Sequence, residues 1–88
     1  MKKVAVIVTD RQQEALRMAV GLTLADGKVS VFIMDNKVEP GEMNDLNLET
    51  LRDMDAEIYS NVPDSRLQLV STDEIASRLA DYDAVIPY

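Results

Sequence analysis

The sequence predicts an α/β domain of three layers, with a parallel sheet of four to five strands held between helices. Three observations lead there. Val4-Ala5-Val6-Ile7-Val8 is a continuous apolar run, the pattern of a strand buried on both faces. Val29-Ser30-Val31-Phe32-Ile33-Met34 is a second run of the same kind, and a long apolar helix pattern lies between the two. Met1–Asn36 therefore reads as strand, helix, strand, and the rest of the chain continues the alternation as β-α-β-α-β-β-α-β.

The first helix is expected from about Arg11 to Ala25. Asp10 is a suitable N-cap, and Glu14 suits the positive end of the helix dipole. Ala15, Met18, Ala19, Leu22 and Ala25 form one stripe for packing on the sheet. Leu16, Val20 and Leu24 form a second stripe beside it, more apolar surface than one sheet face covers. A neighbouring helix or a subunit interface would cover that excess. Gly27 is placed to end the helix in a left-handed conformation.

Asp35-Asn36-Lys37 closes the second strand and Pro40-Gly41 marks a turn. A second helix follows, capped at Asn44 or Asn47 and ending near Met54, with Met43, Leu46, Thr50, Leu51 and Met54 roughly on one face. Ala56–Ser60 is a short third strand, and Leu67–Val70, alternating in polarity, is a fourth nearer an edge. Only Asn61–Arg66 joins these two, too little for an ordinary helical crossover. Ser71 and Glu74 form a capping box, with Val70 and Ile75 as its hydrophobic staple. Ile75, Ala76, Leu79 and Ala80 give that helix its inner face, and Ala84-Val85-Ile86 is a fifth strand stopped by Pro87.

At 88 residues the chain is expected to form one domain over residues 1–88. A domain of this size hides only ~60–65% of its unfolded surface, which leaves self-association as a source of further burial. The net charge of −7 repels phosphate backbones and anionic lipid, so neither nucleic acid nor membrane is an expected partner. No apolar run approaches the ~20 residues that span a bilayer, and the N-terminal run is too short for a signal peptide. The expected location is the cytoplasm.

The chain has no cysteine and no histidine, which removes thiolate nucleophiles, catalytic triads and soft metal ligation together. In parallel sheets, ligands bind outside the carboxyl ends of the strands. Those ends carry Thr9, Asp10 and Arg11, then Asn36 and Lys37, then Ser60 and Asn61, a polar edge able to hold a small anion or nucleotide. The plainer explanation is that caps and loops are polar in any case. Asp10 and Asp35 at adjacent strand ends would suit Mg²⁺ as in receiver domains, but no later strand ends in the lysine that chemistry needs. Thr9–Gln13 contains no glycine, against a phosphate loop. No metal or cofactor is expected. Tyr59, Tyr82 and Tyr88 read as core or interface residues.

Taken together, Lys3–Val8, Glu14–Leu22, Val29–Asp35, Asn47–Leu51 with Ala56–Tyr59, and Asp83–Ile86 resemble the DsrE/DsrF-like (YchN-like) sulfur-relay family. The resemblance implies a five-stranded parallel sheet between helices, assembled into trimers or hexamers. It also implies a persulfide-bearing cysteine after the third strand, where this chain has Ser60-Asn61-Val62-Pro63. Neither serine nor asparagine holds a sulfane sulfur, so no persulfide transfer carries over. The expectation is a non-catalytic DsrE-like protein, homo-oligomeric or joined to paralogous subunits, acting as scaffold or partner in sulfur metabolism. The alternative is a small-molecule binder at the carboxyl edge.

Overall fold

The strands β1 (Lys3–Val8), β2 (Lys28–Ile33), β3 (Glu57–Ser60), β4 (Gln68–Leu69) and β5 (Ala84–Pro87) pair entirely in parallel, in the order β4-β3-β2-β1-β5. The computed structural model describes residues 3–25, 28–64 and 67–88; Gly27, expected to end the first helix, lies outside them. The helices are α1 (Gln12–Leu24), α2 (Glu42–Asp53) and α3 (Thr72–Leu79).

The two sides of the sheet follow from connection handedness. The steps β1 to β2 to β3 move one way across the sheet, so right-handed crossovers place α1 and α2 on one side. The step from β4 to β5 returns to the opposite edge and places α3 on the other. Side chains alternate accordingly. Val6, Val8, Val29, Val31, Ile33 and Ile58 pack with Ala15, Leu16 and Ala19 of α1 and Leu48 and Leu51 of α2. Ala5, Phe32 and Tyr59 pack with Val70 and Ile75, joined by Ile7, Met34, Leu79 and Tyr82. Phe32 stacks on Tyr59 with centroids 5.2 Å apart and meets the edge of Tyr82 at 5.8 Å.

Several local expectations need correction. Asp10 does not cap α1 with its carboxylate; Arg11 holds the cap position, with φ −84° and ψ 65°, and no side-chain bond. The Gln12 N–H instead donates to the Asp10 carbonyl at 2.9 Å, an inverse γ-turn centred on Arg11 that swings the chain from strand to helix. Leu16 lies wholly inside the chain's own core with Leu48 and Leu51, so α2 covers that part of the second stripe. Val20 is half-buried, and Leu24 alone of the three is largely exposed, at 72%.

The second helix begins at Glu42, ahead of both expected caps, and Asn44 and Asn47 fall on its buried face. Met43 and Leu46 are exposed instead. At its other end Asp55 takes φ 62°, while Asp55 N–H donates to Arg52 O and Ala56 N–H to Leu51 O. These are the two bonds of a Schellman motif, with aspartate where glycine is usual. In α3 the capping box behaves as expected on its serine side, Ser71 Oγ accepting from Glu74 N–H at 3.1 Å. Ala76 and Ala80 are exposed, and of the expected inner face only Ile75 is buried and Leu79 half-buried.

Among the described residues, the joint between β3 and β4 holds no helix. Gln68 and Leu69 pair only with Tyr59 and Ser60, the last two residues of β3. Gln68 therefore starts β4 only one residue, about 3.3 Å, back from the carboxyl end of β3. No helix among the described residues is long and apolar enough to cross a membrane.

Candidate functional site

The loops at the carboxyl ends of the strands make a continuous polar rim, and most of its side chains are engaged within the chain. Thr9 Oγ1 donates to the Tyr88 carbonyl at 2.9 Å, and Asn36 Nδ2 donates to the Thr9 carbonyl at 3.2 Å. Asn61 spans the next gap. Its Oδ1 accepts from Asp35 N–H at 2.7 Å, while its Nδ2 donates to Asp35 Oδ1 at 3.1 Å and to Thr72 Oγ1 at 3.0 Å. This brace holds Asp35 at φ 68°, a left-handed conformation that aspartate tolerates better than most residues. Ser60 is buried and exchanges hydrogen bonds with the backbone of Val62, so it faces no ligand.

Of the seven expected ligand-binding residues, Thr9, Asn36 and Asn61 are thus structural ties and Ser60 is internal. Asp10, Arg11 and Lys37 project as exposed charges, with Arg11 3.8 Å from Glu14. Asp10 is common to three depressions. One of about 270 Å³ lies over β1 and β2, lined by Thr9, Asp10, Gln12, Asn36, Lys37 and Glu39. Another of about 340 Å³, between Asp10, Arg11, Pro87 and Tyr88, sits where the strand order reverses between β1 and β5. The largest, about 800 Å³, opens between the first turns of α1 and residues Glu39–Asn44 at the start of α2.

Three residues organise this end of the molecule in roles not expected from the sequence: Gln12, Glu39 and Asn44. Gln12, 4% exposed, donates from Nε2 to Lys37 O at 2.8 Å and accepts at Oε1 from Glu39 N–H at 2.7 Å. Asn44 Nδ2 donates to Glu39 O at 3.0 Å. Glu39 is therefore gripped at both backbone groups by buried amides reaching in from two helices. Asn44 was detectable in principle: with Leu48 and Leu51 it keeps the i, i+4, i+7 spacing of a buried face.

On the α3 side the titration of one group is strongly perturbed. Burial, and next the Glu57 carboxylate that accepts its hydroxyl proton, push the Tyr59 phenol up to about 12. The Arg78 guanidinium lies 4.8 Å from that ring's centroid. Tyr59 is enclosed by the core and fronts no depression at the rim, so it is a packing residue.

Among the described residues, no group of three or more acidic side chains is arranged to hold a metal ion. Comparison with protein-family models, with curated proteins and with solved structures gave no match.

Proposed function

We propose that this chain is a non-catalytic, DsrE-like cytoplasmic subunit that assembles with copies of itself or with paralogous subunits, as a scaffold or partner in sulfur metabolism. One observation carries the assembly: Leu24 at the end of α1 and Met43 and Leu46 in the first turns of α2 stand at 72%, 47% and 55% exposure. Leaving such residues in water forgoes roughly 1.5–3 kcal/mol of burial for each large apolar side chain. The link to sulfur metabolism rests on the family resemblance, with which the five-stranded parallel sheet between helices agrees. The polar rim supports a non-catalytic role, since its hydroxyl and amide groups are engaged with one another and with the backbone.

Light scattering at micromolar concentration tests the assembly. The expected result is a trimer or hexamer that Leu24→Asp and Leu46→Asp each dissociate without loss of helical circular dichroism. A wild-type chain that stays monomeric overturns the proposal. Leu16→Asp is unsuitable for this purpose, because it places a charge in the core.

A second reading, a small anion or nucleotide bound at the carboxyl edge, is favoured by the crevice between β1 and β5. That switch point is where open α/β sheets bind ligands, and Arg11 supplies a cation there. Stabilisation by nucleotide or phosphate in a thermal-shift screen, abolished by Arg11→Ala, is the outcome this reading requires.

A further inference from the structure

The two sides of the sheet are covered unequally. On one side α1 and α2 each bury four of their own residues, whereas on the other α3 buries only Ile75. At eight residues α3 is also shorter than the ~12–15 at which an isolated helix becomes even marginally stable in water, so it is helical only while docked. The strand leading into it is no firmer. β4 is an edge strand that pairs over two residues, and both are exposed. By contrast β1 is paired along both edges, over six residues with β2 and four with β5.

Few ties hold β4 and α3 down. Val70 N–H donates to Ser60 O at 2.9 Å, and Asn61 Nδ2 donates to Thr72 Oγ1 at 3.0 Å on the exposed rim. The Arg78 guanidinium lies over the Tyr59 ring at 4.8 Å. Val70 and Ile75 supply the buried apolar contact, on Ala5, Phe32 and Tyr59 of the central strands. Beyond α3 the chain is fastened again: Tyr82 meets Phe32 edge-on, and Asp83 N–H donates to Lys3 O at 2.8 Å. A stretch with little buried surface, held between two firmer anchors, opens at lower free energy than the whole domain.

We propose that residues 68–79 form a flap that opens as one unit while α1, α2 and the other four strands stay folded. It turns on residues 61–64 and 81–83, and it uncovers the Ala5, Phe32 and Tyr59 face of the sheet. The device depends neither on self-assembly nor on a ligand at the rim, so it stands or falls separately from both.

Native-state amide hydrogen exchange of the full chain, read by NMR in increasing sub-denaturing urea, tests it. Val70 and Leu79, near the two ends of the flap, should share one opening constant, at least roughly tenfold larger than that of Val31 in mid-sheet. Its urea dependence should be finite but smaller than that of Val31, because the flap exposes only part of what global unfolding exposes. Arg78→Ala should raise the opening of Val70 and Leu79 alike, by roughly two- to fivefold. Gln12→Ala acts on the opposite side of the sheet. It weakens the closed and flap-open forms equally, so it should speed Val31 roughly fivefold or more and leave Leu79 within roughly twofold. A Leu79 opening without urea dependence, or a Val70 unmoved by Arg78→Ala, marks fraying of the helix and overturns the proposal. So do equal opening constants at Leu79 and Val31, or equal responses of the two to Gln12→Ala, which mark release by global unfolding alone.

Discussion

Both amide atoms of Gln12 are committed to the backbone of the β2–α2 connection, and the residue is only 4% exposed. Gln12→Ala leaves Lys37 O and Glu39 N–H without their partner, and the expected loss is about 1–3 kcal/mol in urea unfolding. Gln12→Glu separates hydrogen bonding from shape. Its carboxylate still accepts from Glu39 N–H but meets the Lys37 carbonyl with an acceptor, so it should destabilise although the side chain is isosteric. A Gln12→Glu chain as stable as wild type would show that the clamp contributes nothing. Tyr59 makes a prediction of a different kind. Its phenol ionises near 10 when unfolded and about 12 when folded, raised first by burial and then by Glu57. The neutral form is thus favoured by the fold. The stability it contributes is complete below pH 10 and is lost as pH rises from about 10 towards about 12. In a tyrosinate absorbance titration, Tyr59→Phe should remove one late-ionising phenol, and its unfolding free energy should fall less over that window than that of wild type.

At the scale of elements, Ser71 and Asp55 end helices in two different ways, and they were unequally legible. The box at Ser71-Thr72-Asp73-Glu74 depends on neighbours in sequence, so it could be read directly. The same holds for β1, β2 and α1, whose observed limits differ from expectation by a residue or so. The start of α2 could not be read in this way. The loop before it is held by Gln12, which grips Lys37 and Glu39 from 25 and 27 residues earlier in the chain. The helix then begins at Glu42, with Asn44 and Asn47 buried beside Leu48 and Leu51. The rim was legible in position, since its residues follow the strands, but not in availability. Thr9, Asn36 and Asn61 look free in sequence and are tied by loops that only the fold brings together. The aspartate closing α2 leads to an expected gain. Asp55 is left-handed and places a negative charge at the negative end of the helix dipole. Asp55→Gly removes both penalties, and although glycine costs some unfolded-state entropy, it should raise stability by about 0.5–1 kcal/mol in denaturant unfolding. A lower midpoint would mean that the aspartate side chain makes a compensating contact.

For the molecule as a whole, nine cationic against sixteen acidic residues leave seven unbalanced charges within principal extents of 31 × 29 × 20 Å. Screening length decides how far they interact. At 0.01 M salt it is about 30 Å, as long as the molecule, so the whole excess repels itself; at 0.1 M it is about 10 Å, and only near neighbours interact. Ion pairs such as Arg11–Glu14, Lys28–Glu57 and Arg78–Glu74 are exposed or partly exposed, each worth roughly 0–1 kcal/mol and also weakened by salt. Repulsion should dominate, and raising sodium chloride from about 0.01 to 0.1 M should stabilise the fold. A relief of about 1 kcal/mol would raise the thermal midpoint by ~4–8 °C in a chain this short. A falling midpoint would mean that attractive pairs outweigh the net charge. Screening also favours association between like-charged copies, and assembly raises the midpoint by mass action. The two effects separate on dilution: self-repulsion within one chain is independent of protein concentration, whereas stabilisation by assembly is not. The comparison is therefore made with Leu24→Asp, and the salt response that persists there belongs to the single chain.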